Sequence, residues 1–270
     1  MNLTIIVTTH DKYFHKLSKC LESIKNISQK LQLIVANDTK NKISKKLIKK
    51  IIKEKNFKNF YIYEHYKKGI SVLRNASLNY VKNDWVSFID GDDCVSGKFK
   101  NINNFLKIKT DLLIFDNEIK DKFKIKPCEF YGFTGLIERL EIKNMVQKYL
   151  KNPRANSIIT HVWSKIYNIN FIKKNKFKFK NNLSVNEDLL FNSQYIYKCN
   201  KIYLNKKKFI SYTPSKKIKL KKRHNFNDKS YIQPIKNLSN MFLLPKRKNL
   251  QKIAYLYWEK KISIINENKY

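Results

Sequence analysis

The chain has 270 residues, of which 42% are hydrophobic and 13% aromatic, enough to bury a sizeable core. Five Gly and five Pro exclude a fibrous or disordered chain, and no stretch approaches the roughly 18 apolar residues of a membrane span. Lys and Arg number 57 against 21 Asp and Glu, a net charge of +36. Much of this lysine is diffuse, recurring with Asn and Ile along the whole chain. Lys206-Lys207-Lys208, Lys216 to Arg223 and Lys246-Arg247-Lys248 concentrate it in the last third. Such a surface suits nucleic acid phosphates or an anionic membrane leaflet.

The first third alternates strand and helix. Leu3 to Thr9 is a β-branched apolar run that predicts a buried strand. Phe14, Leu17, Leu21 and Ile24 follow at helical spacing. Leu31 to Ala36 predicts a second strand, and Ile43, Leu47, Ile48, Ile51 and Ile52 a second helix. Phe60 to Tyr63 is a third strand, Val72 to Tyr80 a third helix, and Trp85 to Ile89 a fourth strand. Strands separated by helices of this length predict a Rossmann-like α/β fold, a mostly parallel sheet flanked by helices. Ligands of such sheets bind beyond the carboxyl ends of the strands. Farther on, Asp111 to Phe115 predicts another strand, Leu136 to Leu150 a helix, Val162 to Tyr167 a mixed segment and Glu187 to Tyr197 a helix. From about Ser230 the pattern is that of basic amphipathic helices. The division expected is a first half (1–110), a second half of the same domain (111–215) and a basic helical extension (216–270).

Two polar clusters end predicted strands: Asn37-Asp38, and Asp90-Gly91-Asp92-Asp93. Three carboxylates in four residues repel one another unless a cation lies between them, and Mg²⁺ or Mn²⁺ accepts carboxylate and phosphate oxygens together. The same cluster also suits a solvated turn or a helix N-cap. Glu187-Asp188, taken alone, reads as the acidic first turn of a helix. Cys20, Cys94, Cys128 and Cys199 form no Cys-x-x-Cys pair, so neither a zinc site nor a redox motif is signalled. The apolar run after Met1 is too short for a signal peptide and has no basic residue before it, so a cytoplasmic chain is expected.

Gly69-Ile-Ser-Val-Leu-Arg74-Asn75-Ala76, an apolar strand, then Asp90-Gly91-Asp92-Asp93 resembles the core of family 2 glycosyltransferases, which share the GT-A fold. Trp163-Ser-Lys165-Ile-Tyr167 resembles that family's acceptor-side stretch, and Glu187-Asp188 its Glu-Asp pair. The resemblance runs from residue 3 to about 200. It departs at Thr8-Thr9-His10-Asp11, where the family usually has Pro and a Tyr-Asn pair, at Asn37-Asp38-Thr39-Lys40, and at Ser77, where glycine is frequent. It implies that Thr9 and Asp38 touch the nucleotide base, Arg74 the ribose or phosphate, and Asp90 the ribose side. Asp92 would ligate Mn²⁺ or Mg²⁺, Asp188 would be the catalytic base, and Trp163, Lys165 and Glu187 would meet the acceptor.

The implied reaction is inverting transfer from a nucleotide-sugar donor, expected to be a UDP-sugar, to a hydroxyl of a glycan or glycolipid acceptor such as lipooligosaccharide or capsule. An anionic membrane surface is a second expected partner, at the inner face of the cytoplasmic membrane, and nucleic acid is not expected. The rival class is a non-catalytic basic protein binding nucleic acid or anionic lipid, which has no use for the acidic cluster. A sugar nucleotidyltransferase would need a glycine-rich phosphate loop after the first strand, and Thr8-Thr9-His10-Asp11 offers no glycine.

Overall fold

The structure, a computed structural model, describes residues 2–25, 27, 31–39, 44–65, 69–119, 133–151, 158–181, 183 and 186–212. The expected basic extension, 216–270, lies outside the described residues, as do Cys128 and the basic runs beyond residue 212.

The chain opens with β1 (Leu3–His10), a 3₁₀ turn (Asp11–Tyr13), α1 (Phe14–Ile24), β2 (Leu31–Asp38), α2 (Ser44–Glu54), β3 (Phe60–His65), α3 (Ile70–Leu78) and β4 (Trp85–Asp90). It continues with β5 (Cys94–Val95), α4 (Asn103–Leu106), β6 (Leu112–Ile119), β7 (Gly135–Ile137), α5 (Arg139–Lys151), β8 (Lys165–Asn168), α6 (Ile169–Asn175), α7 (Glu187–Lys198) and β9 (Ile202–Tyr212). One sheet runs β3-β2-β1-β4-β8-β6-β9-β5, with β7 added on β9. The four strands β3, β2, β1 and β4 are parallel. β8 is antiparallel to both β4 and β6. The carboxyl ends of β1, β2, β4 and β6 therefore open on the same edge of the sheet.

Strand alternation divides the interior into two layers. Leu3, Ile5 and Val7 of β1 pack with Leu17, Cys20 and Leu21 of α1 and Ile48 of α2. Ile6 faces the other side, with Leu78 of α3, Met145 of α5 and Phe191 and Tyr195 of α7. Burial on both faces is what a parallel strand requires, and it explains the unbroken apolar runs of β1, β2 and β4. Leu47, expected on the apolar face of α2, is 41% exposed.

Three segments differ from expectation. The helix expected over 136–150 is two elements: Leu136 and Ile137 join β7 against β9, and the helix begins at Arg139. The mixed segment ends in β8 and leads directly into α6, whose first turn is capped by the Asn168 side chain accepting from Asn170 N–H (3.0 Å) and Phe171 N–H (3.1 Å). Lys206-Lys207-Lys208 interrupts the apolar pattern of β9, so the sequence does not signal this strand. There the register against β6 steps from Asn205↔Phe115 to Lys208↔Asp116, so Lys206 and Lys207 bulge out of the ladder.

Candidate active site

The site is built at the carboxyl ends of β1, β2 and β4, closed by the start of α7. Gly91 follows β4 directly, and its N–H donates to the Thr8 carbonyl over 2.7 Å. A Cβ on Gly91 would lie 2.9 Å from both Cβ and Oγ1 of Thr9 and 3.1 Å from the Thr8 carbonyl, so glycine is required by this close approach. The Asp93 N–H then returns to the Asp90 carbonyl over 2.9 Å, which turns the acidic loop back across the strand end.

Arg74 is the centre of the cluster. Its side chain is 1% exposed, yet it faces three carboxylates. Nη2 lies 3.1 Å from Asp90 Oδ1, Nη1 lies 3.5 Å from Glu187 Oε1, and Nη1 also contacts Asp188 Oδ1 closely. Burial alone would make the guanidinium easier to deprotonate, but Asp188, Asp90 and Glu187 outweigh it and raise its pKa. The neighbouring Asn75 exchanges two hydrogen bonds with the Phe179 backbone, each 2.8 Å, and the Phe179 ring lies 5.3 Å from the Arg74 guanidinium. The Arg-Asn pair thus divides its labour: Asn75 fixes a neighbouring segment, and Arg74 gathers the acids.

Asp188 sits in the first turn of α7 with a side chain 14% exposed. Its Oδ2 accepts the Val162 N–H over 3.2 Å. Burial raises its pKa, and Arg74 opposes that rise. Glu187 is pushed up to about 8, first by burial and then by Asp188. The α7 N-terminus also carries the positive end of the helix dipole, which favours carboxylates there. The acidic-first-turn reading and the site reading therefore describe the same residues.

Other expected residues fall into place less directly. Thr8, which sequence reasoning passed over, donates to Asp90 Oδ1 over 3.1 Å. Thr9 points to the opposite side of β1, where its hydroxyl is buried with no hydrogen-bond partner among the described residues. The register Thr8↔Asp90 carries the signal that separates the two. Asp38 accepts the Gly69 N–H at 3.3 Å, on the same side of the sheet as α3. Trp163 is 7% exposed and stacks on His161 (4.5 Å between centroids) and Tyr212 (5.9 Å). The Tyr212 hydroxyl is pushed up to about 12 by burial and by Asp93, Asp92 and Asp90, which puts this aromatic group beside the acidic loop.

Lys165, expected to meet the acceptor, is 2% exposed, and its Nζ donates to the His161 carbonyl. Asn192 donates to the same carbonyl at 3.0 Å. Arg74, expected at the ribose or phosphate, has carboxylates for all its polar partners.

No group of three or more His, Cys, Asp or Glu among the described residues is arranged to hold a metal by itself. A divalent ion bound through one or two carboxylates and substrate phosphates needs less. Asp92 offers a carboxylate 32% exposed, with Lys16 Nζ 3.5 Å away, and both Asp90 contacts fall on its Oδ1. These hard oxygen donors fit such an ion.

The sequence family described as glycosyl transferase family 2 matches residues 4–112. Residues 4–112 are thus similar to the family 2 glycosyltransferases, and the fold is that of the GT-A structure of TarS. Over 208 residues it is 27% identical to the teichoic acid poly(glycerol phosphate) polymerase of Staphylococcus epidermidis, covering 74% of this chain and 26% of that protein. The minor teichoic acid biosynthesis protein GgaB of Bacillus subtilis is 29% identical over 185 residues, covering 64% of this chain and 18% of that protein. The chain thus spans about a quarter or less of these curated relatives. Residues 1–349 of S. aureus TarS, solved in complex with UDP-GlcNAc, superpose with a TM-score of 0.70 at 17% identity, covering 97% of this chain and 73% of that one. No helix of the described residues is long and apolar enough to cross a membrane.

Proposed function

We propose that this chain is a glycosyltransferase that moves a sugar from a UDP-sugar, with inversion, to a hydroxyl of a surface-glycan acceptor built on or near a membrane. The observation that carries this reading is Arg74, whose buried guanidinium joins Asp90 at the end of β4 to Asp188 at the start of α7. A donor-side carboxylate and a candidate base are thereby held at fixed separation. The teichoic acid relatives and the TarS complex with UDP-GlcNAc support the choice of acceptor and donor class.

In the proposed reaction the acceptor oxygen bonds to the anomeric carbon, the bond from that carbon to the diphosphate breaks, and the acceptor proton passes to Asp188. Both Asp188 oxygens are already engaged, one by Arg74 and one by Val162 N–H. A carboxylate has lone pairs beyond these two, so proton acceptance remains open. Arg74 helps keep Asp188 ionised. Asp92 and Asp90 would hold Mg²⁺ or Mn²⁺, which would supply Lewis-acid stabilisation of the departing diphosphate when bound. Trp163 and His161 line the acceptor side.

The test is incubation with UDP-, GDP- and dTDP-sugars with and without Mn²⁺, reading nucleotide binding and slow donor hydrolysis, for the chain and its Asp92→Ala variant. Metal-dependent binding of a UDP-sugar that the variant loses, with an unchanged melting temperature, is the expected result. Indifference to all donors overturns the reading. Membrane attachment through 216–270 rests on sequence: a basic amphipathic segment gains about 1 kcal/mol per basic residue at an anionic surface. Flotation with anionic liposomes, lost at high salt, is its expected signature.

A further inference from the structure

α7 carries Asp188 and Asn192 four residues apart, so both side chains lie on one face of the helix. The segment from Ile159 to Val162 runs along that face. At its far end the Val162 N–H donates to Asp188 Oδ2 over 3.2 Å. One helical turn on, Asn192 Nδ2 donates to the Ile159 carbonyl over 2.7 Å and to the His161 carbonyl over 3.0 Å. Asn192 Oδ1 accepts the Tyr167 hydroxyl over 2.7 Å, and that hydroxyl also lies 3.4 Å from the Val162 carbonyl. An amide side chain has two N–H donors and one carbonyl, and here each has a partner. Asn192 and Tyr167 are both fully buried. The Tyr167 ring is held edge-on by Phe88, Phe191 and Tyr195, which fixes its hydroxyl, and the hydroxyl decides which way round the amide sits. Their surroundings are otherwise apolar, with Leu189 and Ile196 of α7 in the same core layer. Burying an amide there is favourable only with every partner in place, so its distinctive effect falls on the backbone it grips. That backbone is not relaxed on its own: Ser164, two residues beyond Val162, has φ +58, which a residue with a Cβ adopts when its neighbours impose it.

We propose that Asn192 is a positioning residue for the transfer reaction: its amide, set by Tyr167, anchors the segment 159–162 to α7, so that the Val162 N–H pins Asp188 Oδ2 and sets the direction the carboxylate presents to the acceptor. The inference rests on the reading of Asp188 as the base. Arg74 holds the other oxygen, Oδ1, from the donor side. The two contacts together fix the plane of the carboxylate, and releasing the Val162 side lets it turn. A displacement of about 1 Å in a reacting group can cost roughly a hundredfold in rate. Asn192 itself meets no reacting atom and acts only through the backbone. The His161 carbonyl has a second donor in Lys165 Nζ, so a change at Asn192 bears chiefly on Ile159 and on the path of the chain into Val162.

The experiment compares the chain with Asn192→Leu, Tyr167→Phe, Asp188→Asn and a core control, Met145→Ala. For each it reads melting temperature, UDP affinity with Mn²⁺ present, the rate of UDP-GlcNAc hydrolysis, in which water replaces the acceptor, and the Val162 amide proton signal by NMR. Asn192→Leu keeps the bulk and removes all three hydrogen bonds. It is expected to displace the Val162 signal, as Asp188→Asn does, and to slow hydrolysis roughly ten- to hundredfold, with UDP affinity within about twofold of the parent. Tyr167→Phe should move both readouts the same way by less, and it carries the test if Asn192→Leu does not fold. Met145→Ala opens a cavity in the same core layer, so it should melt lower yet keep the parental signal and rate. An Asn192→Leu chain with the parent's Val162 signal or rate overturns the assignment. A Met145→Ala chain that loses both equally also overturns it, since Asn192 would then serve only general stability. Asp188→Asn at the parental rate overturns the base reading and this one with it, whereas slow Asp188→Asn beside fast Asn192→Leu overturns this one alone. If the parent hydrolyses no UDP-GlcNAc, the Val162 signal decides by itself.

Discussion

Arg74 in α3 and Asp188 in α7 form an ion pair across 114 residues of sequence, and the same guanidinium reaches Asp90. The charged form of the proposed base is therefore favoured by a residue that belongs to the donor side. Arg74→Gln removes the largest influence that opposes burial at Asp188 and leaves only the Val162 N–H, so the Asp188 pKa rises. An acid limb of kcat/KM that moves to higher pH is the expected result, with a smaller move for Arg74→Lys. Arg74→Gln also leaves three carboxylates facing one another, and losing one partner of a buried pair costs about 3–5 kcal/mol, so it should melt well below the parent. A pH profile identical to the parent's would show that Arg74 does not govern Asp188.

Asp188→Asn keeps the shape and the contact with the Val162 N–H while removing the proton acceptor. Turnover should fall by at least roughly a hundredfold, the scale of a lost positioned base. UDP affinity should barely change. An equal loss of UDP affinity would make Asp188 a donor-side residue, and normal turnover would leave it only the role of an acidic first turn.

Much of this arrangement is legible in the sequence, and the exceptions have physical causes. The parallel core is readable because strands buried on both faces are continuously apolar, and their polar ends, Asn37-Asp38 and Asp90-Gly91-Asp92-Asp93, stand out against them. Thr8 and Thr9 are chemically identical, and only strand parity decides that Thr8 faces Asp90. Lys165 is expected to meet the acceptor, and no local pattern signals that the fold turns its Nζ onto the His161 carbonyl. β9 is hidden because a bulge places two lysines where a strand would alternate. The links of Arg74 to Glu187 and Asp188 are wholly tertiary, since no local pattern relates α3 to α7.

Gly91 offers a test of the donor loop that leaves every carboxylate in place. An alanine methyl would sit 2.9 Å from Thr9 Cβ and Oγ1 and 3.1 Å from the Thr8 carbonyl, so the loop or β1 must move. Overpacking of this kind typically costs about 1–3 kcal/mol. Gly91→Ala should lower the melting temperature by several degrees, and weaken nucleotide binding by displacing Asp92. Unaltered stability together with unaltered binding would mean that the approach of Gly91 to β1 is not needed.

Lys165 sets a slope of stability with pH. Burial lowers its pKa from 10.5 to about 7, with Asp188 opposing the drop. Between those two values the unfolded chain holds the extra proton and the folded chain does not. Stability from this group therefore rises with pH across that window, and below about 7 the folded chain must carry a buried ammonium at full cost. Lys165→Met removes the titration and keeps an unbranched side chain of similar length. It also removes the hydrogen bond to the His161 carbonyl, but Asn192 still donates there at 3.0 Å, so the turn carrying Val162 and Trp163 keeps one anchor. Thermal melts of parent and variant from pH 6 to pH 10 should show the parent gaining on the variant as pH rises. The variant should stand highest relative to the parent at the acid end. Parallel curves across the range would mean that Lys165 is neutral, or charged, in both states throughout, and that its burial does not shape the pH response.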